Sequence, residues 1–488
     1  MTAWMSGWTL EPWAMEAIHT FSIVVLIYFS ALQIVLFGLL ILSFFDMRRR
    51  LAQNFYADYE AVAKSHFTFP ISVLMPAYNE SANVVDSVRS VMSLDYPQHE
   101  VIVLNDGSTD DTLQKLRREF RLERREFVYR RSLATFGGIR GIYCSPTAPN
   151  LIVVDKEHSG KSDTLNIGLN LSRYPLFCTI DADSLFQENA LLRVVRPFLE
   201  DPDRVVAVGG QVRVANGCRV ERGRVIEPRL PTNILAAFQV VEYLRAFVAS
   251  RLGLSAMNNL LLLSGVFSLF RKEAVIEVGG YRHGVVTEDM ELVLRLHRHM
   301  REQKRPYSVV FLPDPICWTE VPEKMGALAR QRSRWHRGLI HSLWLHRPLV
   351  WGRNSGSLRW IGIPYYFFFE FLGPVIELLG YIVIPIAYFM GFLSPIYFWA
   401  FLFLAITAGT FLSVSAVFLE ELSFGLYRSW GDFAQMVAIG ILENFSYRIL
   451  TLIFRIQALF EMVLGRNEWG RQERAGFNRS NPAAAARS

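Results

Sequence analysis

Cysteine is scarce in this chain. The four thiols (Cys144, Cys178, Cys218, Cys317) lie far apart in 488 residues with no CxxC spacing, so neither a zinc site nor a disulfide framework is expected. They read as buried or idle thiols. A strong charge of one sign is missing as well: 51 Lys and Arg against 45 Asp and Glu leave +6, which suits positive loops beside anionic lipid and not a nucleic-acid-binding stripe. No inverted repeat is visible among the apolar segments, which argues against a pure transporter. What the chain holds in excess is apolar: 51% hydrophobic residues, 13% aromatic and a mean hydropathy of +0.21, beside 20% charged residues. It is too long for one ordinary domain, too apolar for solution throughout and too charged to be mostly lipid-embedded.

The apolar residues fall in blocks. Phe21 to Phe45 carries no charge, and at ~1.5 Å per residue such a run crosses a ~30 Å hydrocarbon core. It is too long for a signal peptide, lacks a basic segment before it, and leads into Asp46-Met47-Arg48-Arg49-Arg50, which places its end on the cytoplasmic side. Residues 1–50 are therefore expected to form an anchor. Apolar character returns at Ile361. Tyr365–Phe371, with Pro364, Glu370, Pro374 and Glu377 around it, suits an interfacial or re-entrant piece; spans are expected at about 372–393 and 396–419. Phe433–Leu464 contains Glu443, Arg448, Arg455 and Glu461, so it either lies along the interface or lines a polar path between helices. Positive-inside bias puts the basic tail, 465–488, in the cytoplasm and favours three spans over four.

Between these blocks, β-rich runs at Ile71–Met75, Val101–Leu104, Leu151–Val154, Phe177–Ile180 and Val205–Val208 alternate with helical periodicity. Val84, Val85, Val88, Val91 and Met92 form one such stripe. The pattern predicts an α/β block with a mostly parallel sheet, helices on both faces, and ligands bound at the carboxyl ends of strands. Polar clusters stand at those ends: Tyr78-Asn79-Glu80, Asn105-Asp106-Gly107-Ser108, and Asp181-Ala182-Asp183. Two carboxylates one residue apart after a buried strand repel each other, so a hard cation such as Mg²⁺ or Mn²⁺, its shell completed by phosphate oxygens, suits them; a capping Asp beside a solvated one is the bland alternative. Lys161 opens a helix after Ser159-Gly160, where phosphate is favoured, although an exposed helix-start lysine reads the same way. Glu288 and Asp289 also sit at a helix start, which by itself is ordinary helix-dipole chemistry. Arg330–Arg337 reads in part as a basic amphipathic helix on anionic lipid, with Gln331, Arg334 and Trp335 on one face.

In this order Tyr78-Asn79-Glu80, the Asp106-Gly107 turn, Gly160-Lys161, Asp181-Ala182-Asp183, Thr287-Glu288-Asp289 and Gln331-Arg332-Ser333-Arg334-Trp335 resemble the motifs of membrane-embedded, processive family-two glycosyltransferases, the poly-N-acetylglucosamine, cellulose and hyaluronan synthases. The match covers roughly Pro70 to Trp335. It implies a GT-A (Rossmann-like) glycosyltransferase domain at 51–322 inserted between transmembrane helices, interfacial helices at 323–371, a membrane bundle at 372–464, and an enzyme of the inner membrane with its catalytic block in the cytoplasm. By resemblance, Tyr78, Glu80, Asp106, Lys161, Asp181 and Arg334 hold the UDP-sugar, Asp183 holds the Mg²⁺ or Mn²⁺, Asp289 is the base assisted by Glu288, and Ser264, Gly265, Gln331 and Trp335 meet the acceptor.

Asn105 stands where cellulose synthases have the first Asp of DDG; the NDG form is associated with the poly-N-acetylglucosamine synthases. Two insertions, 112–159 and 214–230, have no derivable role, the second reading as a basic hairpin around Glu221-Arg222-Gly223. The residues after Gly465 are too few for the β-barrel that binds cyclic-di-GMP in bacterial cellulose synthases, so regulation through that domain is not expected. The implied activity is inverting transfer from a UDP-sugar to a growing β-linked polysaccharide that then crosses the membrane. The partners are glycan, membrane lipid and periplasmic or accessory secretion subunits. Transfer to a lipid acceptor is the alternative, since lipid glucosyltransferases share QxxRW; an inactive transferase serving as a membrane receptor or assembly subunit is a third reading.

Overall fold

The computed structural model describes residues 11–55, 68–352, 355–426 and 429–464. The basic tail predicted at 465–488 lies outside the described residues.

Twelve strands form among the described residues: β1 (Ile71–Ala77), β2 (His99–Asp106), β3 (Glu123–Arg124), β4 (Ile139–Cys144), β5 (Leu151–Lys156), β6 (Leu176–Ile180), β7 (Ser184–Phe186), β8 (Val205–Val214), β9 (Arg219–Glu221), β10 (Arg224–Glu227), β11 (Phe267–Arg271) and β12 (Ser308–Thr319). Ten of them make one sheet in the order β3-β4-β5-β2-β1-β6-β11-β8-β12-β7. β5, β2, β1 and β6 are parallel neighbours, which carries Lys156, Asp106, Ala77 and Ile180 to the same edge. Their residues are almost wholly buried, as strands covered on both faces require. β11 then runs antiparallel between β6 and β8, and β7 antiparallel to β12. The sheet is therefore mixed, not mostly parallel. The run that became β12 contains Pro313 and Pro315, and its pairing with β8 shifts register around them, so its sequence does not read as a regular strand.

The helix Val84–Met92 buries Val84, Val88 and Val91, the middle of the apolar stripe. The insertion at 214–230 folds as the β9–β10 hairpin.

Pro12–Ala52 and Pro395–Phe424 are long and apolar enough to cross a membrane. Two bent pairs, Leu358–Phe371 with Gly373–Phe389 (41°) and Trp430–Leu442 with Tyr447–Val463 (51°), bring the number of possible crossings to four if each pair is one span. The bend of the first pair falls where a π-helical turn, Tyr365–Phe371, gives way to a helix opening with Gly373-Pro374.

The charges of the last apolar stretch are directed into the protein. Glu443 meets Arg245 at 2.6 Å, Arg448 meets Glu377 at 2.8 Å, Arg455 meets Glu370 at 3.4 Å, and Glu461 accepts from Ser333 Oγ at 2.6 Å. A polar group on an apolar helix is tolerated when a neighbouring element satisfies it, and here each does so across the seam between helices. A deeply buried tie joins the sheet to the helix Pro395–Phe424: Glu420, 1% exposed, pairs with Arg213 of β8 and accepts from Gln211 Nε2 at 3.1 Å. Glu420→Ala strands a buried guanidinium and is expected to destabilise the protein by about 3–5 kcal/mol, whereas Arg213→Met with Glu420→Leu recovers most of that loss. Thermal unfolding of the detergent-purified variants measures both.

Candidate active site

The site is assembled at the edge where the parallel strands end. β1 runs into Tyr78-Asn79-Glu80. Asn79 has φ +57°, and its side-chain oxygen accepts from the backbone N–H of Thr109 (2.8 Å) and Asp110 (3.3 Å). The backbone N–H groups of Asn79 and Glu80 donate to Ser108 Oγ and Thr112 Oγ1, each at 3.0 Å. Asn79 therefore staples the loop after β1 to the loop after β2, one use of the tolerance Asn has for left-handed backbone.

Asp106, expected by resemblance to hold the UDP-sugar, ends β2 and is buried. Its buried carboxylate receives the N–H of Ser159 (3.0 Å) on one oxygen and that of Gly160 (3.0 Å) on the other. Lys156 Nζ is in close contact with the first oxygen, and His158 Nδ1 lies 2.9 Å from the second. Three chain groups donate to this carboxylate, and the hydrogen bond of His158 Nδ1 goes to the Asp106 backbone carbonyl at 3.0 Å. Asp106 thus builds the turn that delivers Lys161. Lys156 and His158 were not singled out in the sequence. The signal for Lys156 was a lysine ending a wholly buried strand, in parallel register with Asp106. His158 stacks on Tyr78 with ring centroids 4.4 Å apart, and Tyr78 stays 42% exposed, which leaves an aromatic face at the mouth.

Lys161 begins the helix Lys161–Leu171 after Gly160 (φ +91°). Its ammonium lies 2.7 Å from Asp181 and 3.1 Å from Glu288. Burial alone would lower its pKa, but the Asp181 and Glu288 carboxylates outweigh that and hold it above the ordinary lysine value. Asp181 and Asp183 do not continue a strand: the chain turns at residues 181–183 as it passes from β6 to β7, leaving the Asp181 side chain 29% exposed and Asp183 at 2%.

Asp289 occupies the first turn of the helix Glu288–Glu302. One carboxylate oxygen accepts from Gly265 N–H at 3.0 Å and the other from Met290 N–H at 2.8 Å. Burial, then the neighbouring Glu288 carboxylate, raises its pKa to about 6, with Lys161 and the two N–H groups opposing. A Cβ on Gly265 would sit 3.2 Å from Asp289 Oδ2 and 3.4 Å from Lys161 Nζ, so the glycine lets the backbone approach the carboxylate closely. Ser264 is half-buried, its carbonyl accepting from Ser268 Oγ at 2.7 Å.

The helix Met325–Leu345 packs directly on this corner. A Cβ on Gly338 would collide with Thr287, and Ser342 Oγ lies 3.3 Å from Thr287 Oγ1. Along the same helix Gln331 is buried with its Oε1 unpartnered, Trp335 is 39% exposed, and Arg334 is half-buried with no ion pair among the described residues. Arg332 instead pairs with Glu242 at 2.7 Å.

The described residues contain no cluster of three or more His, Cys, Asp or Glu side chains able to cage a metal ion. The donor set fits a cation of another kind: Mg²⁺ is commonly held by one or two carboxylates with substrate phosphates completing its shell, and Asp183 with Asp181 supplies that number of hard oxygens.

Two family models match the chain: "Glycosyl transferase family group 2" over 176–414 and "Glycosyl transferase family 2" over 72–142. A poly-beta-1,6-N-acetyl-D-glucosamine synthase of Staphylococcus epidermidis is 28% identical over 336 residues, 66% of this chain and 70% of that protein. The enzyme of the same name from Staphylococcus aureus strain COL is 29% identical over 269 residues, 55% of this chain and 54% of that protein. Among solved structures, a mannosyltransferase from Pyrobaculum calidifontis in complex with GDP-Man and Mn²⁺ aligns over 89% of this chain and 100% of that one, at 16% identity and a TM-score of 0.46.

Gly338→Ala is expected to push Thr287, and Asp289 with it, out of place, lowering turnover at least ~10-fold while the protein remains folded, because a 1 Å misplacement costs about 10²-fold. Steady-state rates beside a thermal unfolding curve check this.

Proposed function

We propose that this chain, which belongs to glycosyl transferase family 2, elongates a β-linked polysaccharide with N-acetylglucosamine from UDP-N-acetylglucosamine and passes the product across the inner membrane, its catalytic block facing the cytoplasm. The observation that carries the reading is Asp289. It is a buried carboxylate with a pKa raised toward neutrality, fixed by two N–H groups and adjoining the Lys161–Asp181–Glu288 cluster. A carboxyl poised in this way takes a proton at neutral pH more effectively than an ordinary aspartate. The family models and the names of the two synthases support the transfer chemistry and the choice of sugar.

The terminal hydroxyl of the acceptor attacks the anomeric carbon of the donor, the bond to the diphosphate oxygen breaks with inversion, the hydroxyl proton passes to Asp289, and UDP leaves with the electron pair. Lys161 and Arg334 offset charge on the diphosphate; Arg334 suits this role because no carboxylate claims it among the described residues. A Mg²⁺ or Mn²⁺ held by Asp183 beside Asp181 would supply further charge neutralisation to the leaving diphosphate. Tyr78, with His158 behind it, offers the base a stacking surface, and Glu80 and the turn ordered by Asp106 complete the donor side. Glu288 keeps Asp289 basic and ties it to Lys161. Gln331 and Trp335 hold the acceptor sugar, and Ser264-Gly265 lets it approach. The donor block is assigned to 51–322, the interfacial helices to 323–371 and the membrane bundle to 372–464.

The test is UDP release and product analysis by purified, reconstituted protein supplied separately with UDP-N-acetylglucosamine, UDP-glucose, UDP-glucuronic acid and UDP-galactose. High polymer from the first is expected; a single chloroform-soluble product would assign a lipid acceptor instead. Asp289→Asn is expected to abolish transfer while UDP binding, measured by calorimetry, stays within about threefold, since the lost group acts on the acceptor proton. Because the base must be ionised, kcat/KM should fall as pH drops through about 6. Glu288→Gln removes a like charge that raises the Asp289 pKa, so its acidic limb should move to lower pH. A limb that stays in place, or moves up, contradicts the assignment of the base.

A further inference from the structure

The motif Gln331-Arg332-Ser333-Arg334-Trp335 contains two arginines with opposite fates, and Arg332, the one outside the expected donor and acceptor set, is the more constrained. It is 3% exposed. Its guanidinium pairs with Glu242 at 2.7 Å, receives a second partner in Tyr447 Oη at 3.1 Å, and lies 4.3 Å from the centroid of the Trp335 ring. Tyr447 closes the triangle by donating to the same Glu242 oxygen at 2.6 Å. Three separate elements meet here: Glu242 belongs to the helix Ile234–Leu244, Arg332 and Trp335 to Met325–Leu345, and Tyr447 begins the last helix, Tyr447–Val463. Burial would lower the Arg332 pKa, but Glu242 outweighs it and holds the group charged.

We infer that Arg332 is a positioning residue for the acceptor: clamped by Glu242 and Tyr447, it sets the plane of the Trp335 ring on which the terminal sugar of the glycan rests. A guanidinium over an indole face fixes the ring by cation–π attraction and covers one face, leaving the other to the sugar. The clamp makes the last helix part of the acceptor site. Ser333, the next residue, grips the same helix through Glu461 at 2.6 Å, so two neighbouring positions of the motif hold one support. This inference rests on the reading that Trp335 is an acceptor platform.

The test uses the full-length reconstituted protein and three variants. Tyr447→Phe is nearly isosteric and removes only the hydroxyl, Arg332→Gln removes the cation, and Arg332→Lys keeps the charge without the planar stack. Two quantities are read: the KM for UDP-N-acetylglucosamine in slow hydrolysis without acceptor, and the KM for an added N-acetylglucosamine oligosaccharide together with product length. Arg332→Gln should raise the acceptor KM about tenfold and shorten the product, Tyr447→Phe about threefold, while the donor KM stays within about twofold, as the loss of charge-assisted contacts remote from the donor predicts. Arg332→Lys should restore protein yield without restoring product length. An acceptor KM unchanged in Arg332→Gln, or donor and acceptor constants that worsen together in Tyr447→Phe, overturns the inference. If the wild-type protein uses a lipid acceptor, the polymer reading fails on its own, and the clamp is judged by the KM for that lipid.

Discussion

Like charge is the constraint around which this molecule is organised. Asp181, Asp183, Glu288 and Asp289 are brought from two distant stretches of chain to one strand edge, and carboxylates gathered in a partly buried place repel one another strongly. Lys161 is the counterweight. It touches Asp181 and Glu288 directly and opposes the upward pressure on Asp289. For the lysine to stand there, the turn before it must be rigid, and Asp106, Lys156 and the N–H groups of Ser159 and Gly160 make it so. The order of the turn that carries Lys161 is therefore tied to the charge gathered around Asp181 and Glu288.

The same logic extends into the apolar helices. Glu377, Glu420 and Glu443 would each be costly on a helix facing hydrocarbon, yet each is buried against an arginine on another element. Because Arg213 belongs to the sheet and Glu420 to the helix Pro395–Phe424, that pair also ties the sheet to the apolar helices. Packing alone is slippery between smooth apolar helices, whereas an ion pair with no water to substitute for it admits one register.

Much of this was legible in advance. The strands β1, β2, β5, β6 and β8 announced themselves as short β-rich runs with turn residues behind them, and the motif residues Lys161, Asp181, Glu288, Asp289 and Gly265 do meet although scattered over more than a hundred residues. What could not be read were relations that depend on register. The prolines of β12 hid a strand, and the antiparallel insertion of β11 turned a parallel sheet into a mixed one. The engagement of Asp106 required knowing that β2 and β5 are neighbours with Asp106 opposite Lys156. Likewise, nothing in the string Gln331-Arg332-Ser333-Arg334-Trp335 distinguishes the arginine that is clamped from the one left without an ion pair; the difference lies in Glu242 and Tyr447, about ninety residues before and over a hundred after.

The engagement of the Asp106 carboxylate by Lys156, Ser159 and Gly160 has a thermodynamic consequence for a bound nucleotide. A loop ordered only on binding subtracts the entropy of its ordering from affinity, and its rearrangement slows each cycle. Here the turn bearing Lys161 is ordered by folding, through bonds that do not involve the ligand. An enzyme that must admit a fresh donor and expel a spent one at every addition is served by a pocket whose shape outlives its contents: exchange costs desolvation and contact, but not the rebuilding of the cradle.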